Sequence, residues 1–329
     1  MKKFINKTDD ILTESLSGFA LAHSDLVSLN LEPNYLTRKQ KATGKVAIIS
    51  GGGSGHEPLH AGYVGYGMLD AACPGHVFTS PTPDQMLAAA ETVHAGKGIL
   101  FIVKNYAGDV MNFEMAAEML PFESATVLTS DDCAVINSTY TTGRRGVAGT
   151  VIVEKCVGSL AETGADLQAC KALGDKVNSC TASMGVALTS CTVPAAGRPT
   201  FDIDDTELEM GVGIHGEPGR RRETMREADA IVTDVVHAIL DALKPAAGSE
   251  ALLLINGFGA TPLMELYLIY NTAARLFSEH GIKVTRSLVG NYTTALDMAG
   301  ASVTLCLLDE EIRQHWDSPV HTAALRCGA

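Results

Sequence analysis

Residues 50–58 read SGGGSGHEP, with glycine at positions 51, 52, 53 and 55, directly after the apolar run KVAIIS at 45–50. Glycine is this dense only where backbone takes up positive φ or comes very close to another group. A tight turn uses one or two such residues, not four. A glycine-rich turn following a strand presents N–H groups that can hold phosphate or sugar hydroxyls. No Lys-Ser/Thr pair follows the glycines, so the stretch is not a Walker A loop. It also fails G-x-G-x-x-G, because His56 stands where the third glycine is required. His56 to His60 reads HEPLH, formally the H-E-x-x-H of zinc proteases. That chemistry needs both imidazoles on one face of a regular helix, and Pro58 between them, with glycines before, prevents it. No metal is expected.

Beyond this stretch the chain alternates short apolar strands with amphipathic helices. Strands are expected at 45–50, at HVFTS (76–80), at GILFIVK (98–104) and at ATVLT (125–129). Helices are expected after Thr8 as cap, over PTPDQMLAAAETVHAG, over DVMNFEMAAEML, and at about 144–163 and 166–178. Downstream come a strand in MGVALTSCTVP, a strand ending at GVGIHGEPG and a long helix RETMREADAIVTDVVHAILDAL. After it follow strand ALLLING, helix TPLMELYLIYNTAARLFSEHG, and strands IKVTRSLVG and ASVTLCLLD. This rhythm predicts an α/β fold of two domains, each a sheet flanked by helices, divided as 1–183 and 184–329. Ligands in such folds sit beyond the carboxyl ends of strands. The glycine stretch, FTS, VKNYAGD and GIHGEPG all take that position.

The formal net charge of -13 excludes the basic face that nucleic acid or an anionic membrane requires. Eight scattered cysteines without a C-x-x-C pair, and a start, MKKFINKTDD, without an apolar stretch, point to free thiols in the cytoplasm. The 329 residues suffice for two sizeable cores.

Several side chains in these strand ends carry chemistry. Lys104 can hold an oxygen or phosphate and Asp109 can accept a proton, although Asn, Gly and Asp also populate ordinary solvated turns. Ser80 reads as a helix cap, a ligand contact, or both. His215 lies among glycines that leave its imidazole approachable, and Glu217 is near enough in sequence to orient the ring. The other histidines apart from His56, His60 among them, read as structural or surface residues.

The blocks SGGGSGHEPLHAGYVGYGMLDAACPGHVFTSPTPDQM, VKNYAGDVMNFEMAAE, YTTGRRGVAGTVIVEK, CTVPAAGRPTF, GVGIHGEPG, GATPLMELY and DSPVHTAAL span nearly the whole chain. In this order they resemble the dihydroxyacetone kinase family, specifically the dihydroxyacetone-binding subunits of phosphotransferase-system-dependent kinases. The resemblance implies a cytoplasmic homodimer in which His215 adds through a ring nitrogen to the ketone carbon, forming a hemiaminal. It implies substrate contacts from Gly53, Ser54, Gly55, His56, Ser80, Lys104, Asp109 and His215. It makes Asp109, His56 and His215 the catalytic groups, with proton movement shared between Asp109 and His56 in a proportion left open. A covalent bond to the carbonyl rejects glycerol, which lacks one, more strictly than hydrogen bonds to hydroxyls would. Nothing in the chain corresponds to the helical nucleotide-binding domain of single-chain relatives. The resemblance therefore implies that this chain binds no cofactor itself. A separate kinase subunit would hold ADP with Mg and be recharged by a phosphotransferase-system protein, ultimately from phosphoenolpyruvate. Two other readings stand beside this one: a non-catalytic dihydroxyacetone-sensing coactivator of a transcription regulator, and a kinase subunit for a related ketose such as erythrulose.

Overall fold

The computed structural model describes residues 2–135 and 141–328; Tyr140, first residue of the YTTGRRG block, lies outside them. Two six-stranded sheets organise the chain. The first contains β1 (Val27–Leu31), β2 (Asn34–Arg38), β3 (Ala47–Ser54), β4 (Ala71–Val77), β5 (Ile99–Lys104) and β6 (Ser124–Thr129), in the order β1-β2-β4-β3-β5-β6. Its β4, β3, β5 and β6 run parallel, and the β1/β2 hairpin joins antiparallel at the edge. The second contains β7 (Thr181–Ala187), β8 (Glu207–Met210), β9 (Arg221–Thr224), β10 (Glu250–Gly257), β11 (Lys283–Gly290) and β12 (Gly300–Leu308), in the order β11-β10-β12-β7-β8-β9. Only its β10/β11 pair is parallel. The helices are α1 (Ile11–Ala22), α2 (Pro83–Val93), α3 (Ala107–Met119), α4 (Gly149–Glu162), α5 (Leu167–Ser179), α6 (Ala228–Leu243), α7 (Leu263–Glu279) and α8 (Glu310–Asp317).

Strand alternation distributes the core over layers. In the first sheet Ile48, Leu100, Ile102 and Val127 face α4 and α5, whereas Ala47, Ile49, Ile99, Phe101 and Val103 pack with Met86, Ala89 and Phe113 of α2 and α3. In the second, Leu252, Leu254 and Cys306 turn toward the α4 side, and Ala251, Leu253, Ile255, Val303 and Leu305 toward α6 and α7. Helix α4 is thus sandwiched between the sheets, touching β3, β5 and β6 on one side and β7 and β12 on the other. Such a helix is apolar nearly all round, and α4 also buries Glu154 and Lys155. Its entry is fixed by the Asp131 carboxylate, which accepts from the N–H groups of Val147 (2.9 Å) and Gly149 (2.8 Å).

Five details differ from the sequence expectation. The glycine stretch is not a loop after the strand: β3 continues through Ser54. A Cβ on Gly51 would lie 2.5 Å from the Cys73 carbonyl oxygen, and one on Gly53 would lie 2.6 Å from the Thr79 nitrogen. Here glycine serves close approach within and beside the sheet rather than turning. Strand β4 ends at Val77 instead of starting at His76. It tolerates Pro74 because β2 pairs only as far as Ala71 and Ala72, leaving the N side of Pro74 free of a ladder. Residues 222–224, expected in a helix, belong to edge strand β9, where Arg222 pairs with Glu209 (3.3 Å) across to β8 and α6 starts only at Ala228. Thr8 opens a short 3-10 turn instead of capping α1, whose cap position is Asp10. The β1/β2 hairpin has no counterpart in the expectation. Each of the eight cysteines is a free thiol. Among the described residues no helix is long and apolar enough to cross a membrane.

Candidate active site

A cavity of about 840 Å³ opens where the two sheets' loops meet, lined among others by Gly53, Ser80, Asp109, His215 and Glu217. Gly53 comes from the end of β3, Ser80 from the segment after β4, Asp109 from the first turn of α3, and His215 from the loop after β8. Four strand ends distant in sequence therefore converge on one wall. Ser80 is not the cap of α2; that role belongs to Thr82, in a reciprocal capping box with Gln85. Ser80 instead faces Gly108, where a Cβ would lie 2.8 Å from its Oγ.

The ring of His215 is held from several sides. Its Nδ1 lies 2.9 Å from Glu217 Oε1, and Glu217 Oε2 accepts from the His215 backbone N–H at 3.0 Å. Its Nε2 lies 3.0 Å from Nε2 of His56. The edges of Tyr106 (4.7 Å, 88°) and Phe78 (5.0 Å, 90°) close the remaining sides, and Phe78 also stacks on His56 (4.9 Å, 12°). Arg145, wholly buried, holds the loop from below by pairing with Asp132 (2.7 Å) and donating to the Gly211 carbonyl (2.7 Å).

Proton positions follow from these partners. Glu217 is an acceptor only. Burial alone would raise its carboxyl, but the charge and hydrogen bond of His215 and the charge of Arg145 outweigh burial and bring it to about 2. His215 Nδ1 must then carry hydrogen. His56 Nδ1 lies 2.7 Å from the Thr294 carbonyl, also an acceptor only, so it carries hydrogen as well. Two ring nitrogens 3.0 Å apart need one proton between them. Burial, with the charges of His215 and Lys104, holds His56 well below the usual histidine range.

Lys104 is not in a solvated turn. It ends β5, is 1% exposed, and lies behind the cavity wall with its Nζ 3.5 Å from Asp109 Oδ2 and 3.0 Å from His60 Nε2. Ser54 and Gly55 also stand outside the cavity wall: Ser54 Oγ donates to the Gly75 carbonyl (2.7 Å), and the Gly55 N–H points to the Glu57 carboxylate. Gly55 has φ 102°, and its carbonyl accepts from Leu296 N–H (2.9 Å), which pins the glycine strand to the segment after β11. The HEPLH stretch is not helical, and both imidazoles have their nitrogens engaged elsewhere. Among the described residues no group of three His, Cys, Asp or Glu side chains is placed to hold a metal ion.

Sequence reasoning missed Phe78, Tyr106, Arg145 and the Thr294 carbonyl, and gave His60 only a background role. Of these, the aromatic residues carried a signal, since each stands within three residues of a predicted site residue. Gly52 shows how tight the arrangement is: an added Cβ would fall inside van der Waals contact with Lys104 Nζ. Gly52→Ala should therefore lose about 1–3 kcal/mol of stability, read from a denaturant melt. It should also slow turnover more than it weakens ligand uptake, because it displaces Lys104 and not His215.

An α/β chain with two helix-flanked sheets and a boxed, carboxylate-oriented imidazole at their junction belongs to the Dak1 domain family, whose model matches residues 17–324. Over its full length the chain is similar to the "PEP-dependent dihydroxyacetone kinase, dihydroxyacetone-binding subunit DhaK" of Escherichia coli (strain K12), with 46% identity over 356 aligned positions and 100% of both chains covered. It is 48% identical to the "PTS-dependent dihydroxyacetone kinase 1, dihydroxyacetone-binding subunit DhaK" of Listeria innocua, over 94% of this chain and 95% of that one. Among solved structures it resembles a "Dihydroxyacetone kinase operon co-activator Dha-DhaQ", with a TM-score of 0.90 and 34% identity over 95% of this chain and 98% of that one.

Proposed function

We propose that this chain is the dihydroxyacetone-binding subunit of a phosphoenolpyruvate-dependent dihydroxyacetone kinase, and that it holds the ketose as a hemiaminal on His215. Full-length similarity to subunits of that name supports the first part. The observation that carries the second is His215 at the cavity wall with its Nε2 3.0 Å from Nε2 of the buried His56. Attack requires a lone pair on His215 Nε2, so the proton shared by the two Nε2 atoms is taken up by His56. The nitrogen then bonds to the carbonyl carbon, the C=O π pair goes to oxygen, and His56 returns the proton to that oxygen. One positive charge is present before and after, and Glu217 balances it throughout. Addition fixes the substrate's orientation for the second step.

In that step a terminal hydroxyl gives its proton to Asp109 while its oxygen attacks the phosphoryl group. A separate kinase subunit would supply the phosphoryl group on ADP with Mg, after recharging by a phosphotransferase-system protein. Gly53 and Ser80 line the substrate's space, and Lys104 acts from behind Asp109. Ser54 and Gly55 serve by shaping the strand that carries Gly53. The reading extends to a cytoplasmic homodimer, a role in glycerol-derived triose metabolism, and two domains at 1–183 and 184–329.

Carbon-13 NMR with dihydroxyacetone labelled at the carbonyl tests the adduct. The ketone resonance should be replaced by one in the range of saturated carbon, and labelled glycerol should give no bound signal. An unchanged ketone resonance at saturating protein overturns the hemiaminal. Adding the nucleotide-carrying subunit tests the kinase: dihydroxyacetone phosphate should accumulate. An adduct without turnover would instead mark a sensor like the co-activator, and preferred turnover of erythrulose would reassign the substrate.

A further inference from the structure

Behind Asp109 a file of side chains runs from the cavity wall into the protein. Lys104 Nζ lies 3.5 Å from Asp109 Oδ2 and 3.0 Å from His60 Nε2. His60 Nδ1 lies 2.6 Å from Glu154 Oε1 and 3.0 Å from Ser50 Oγ, whose own hydrogen goes to the Ile102 carbonyl (2.6 Å). The file joins β5, the turn after β3 and the sandwiched helix α4. All four ionisable members are buried, Glu154 completely.

An ammonium has only hydrogens to offer, so His60 Nε2 accepts from Lys104 and Nδ1–H donates to Glu154. Burial, then the charges of Lys104 and His56, hold His60 well below its ordinary range, so it stays neutral. Glu154 Oε2 has no hydrogen-bond partner among the described residues. A satisfied polar cluster that merely fastened α4 to the sheet would leave no oxygen bare, because a buried unpaired acceptor costs about 1–3 kcal/mol.

We infer that Glu154 is a positioning residue for the transfer step, acting through His60 and Lys104 on the basicity of Asp109. The inference rests on the reading of Asp109 as proton acceptor. Burial pushes the Glu154 carboxyl up to about 8, outweighing the Lys104 charge, which pulls it down. Below that pH the carboxyl is neutral and, among the described residues, Lys104 has Asp109 as its close counter-charge. Above it, Glu154 is an anion on the far side of His60 and shares the ammonium's field. A negative charge added nearby favours protonation of a carboxylate, so Asp109 becomes the stronger base. The other groups facing Glu154 are Tyr63, pushed well above its ordinary range first by burial and then by Glu154, and Lys104 and His60 themselves. No proton needs to travel along the file; the effect is electrostatic.

The test uses the full chain with its nucleotide-carrying partner. Wild-type kcat should rise roughly three- to tenfold with a midpoint near pH 8, while KM changes little. Glu154→Gln, which matches the shape of the neutral acid, should bind dihydroxyacetone with an unaltered carbon-13 signature but show no rise in kcat. An active wild type whose Glu154→Gln variant keeps the same rise sinks the inference alone; an inactive wild type sinks the kinase reading first. Should the variant fail to fold, carboxyl carbon-13 and imidazole nitrogen-15 NMR of the wild type decide. Glu154 and His60 resonances should move together near pH 8, and a carboxyl already ionised at pH 6 overturns the proposal.

Discussion

His215→Ala should leave a folded protein that forms no carbon-13 adduct and, with its partner subunit present, phosphorylates dihydroxyacetone at least about a thousandfold more slowly. The expectation of a folded protein comes from the ring's position. It lies at a cavity wall, with 18% of its side chain exposed, so truncation opens no sealed core cavity. The size of the kinetic loss comes from dihydroxyacetone itself. A triose that is mostly hydroxyl has little apolar surface to bury, so without a covalent bond it tumbles in a cavity of about 840 Å³. Orientation by a single covalent bond is worth several kcal/mol of barrier. Selectivity should fall along with rate. The variant should discriminate between dihydroxyacetone and glycerol by no more than hydrogen bonding allows, whereas the wild type rejects glycerol because it has no carbonyl to attack. An undiminished adduct in His215→Ala would put the covalent bond on another side chain and remove the mechanism.

The sequence made some of this legible for identifiable reasons. Strand and helix alternation was readable wherever apolar runs were continuous, as in β5, β10 and β12, because strands buried on both faces leave that mark. It failed where charge masks extension. Edge strand β9 carries Arg222, Glu223 and Thr224, which look like a helix's first turn until their partners across the sheet are known. The glycine density points to function, but to a loop rather than a strand. Density of glycine reports close approach and does not say whether the neighbour is a ligand or, as at Gly51, the backbone of the adjoining strand. Within the site, Glu217 was found because it stands two residues from His215. Thr294 was invisible because its contribution is a carbonyl, which every residue possesses. His60 and Glu154 were invisible as a pair because 94 residues separate them. The zinc-like HEPLH pattern drew attention to His60 for a chemistry the proline forbids.

Asp109→Asn should produce a different defect from His215→Ala: an intact adduct with phosphorylation slowed by about 10²–10⁴-fold, the usual worth of a positioned general base. Asn matches Asp in shape, and its amide cannot take the hydroxyl proton. The surrounding wall should hold, because Lys104 keeps His60 Nε2 at 3.0 Å and the Gly51 carbonyl at 3.4 Å when its carboxylate partner is neutralised. Carbon-13 NMR reads the first half of this expectation and the rate of phosphate-ester formation with the partner subunit reads the second. An Asp109→Asn protein with near-normal turnover would remove the base and leave positioning by His215 to account for the rate. The same variant separates the two proposals. If Glu154 acts by tuning Asp109, then adding Glu154→Gln to Asp109→Asn changes nothing further, since the group being tuned is gone. Additive losses in the double variant would mean that Glu154 reaches the reaction by another route.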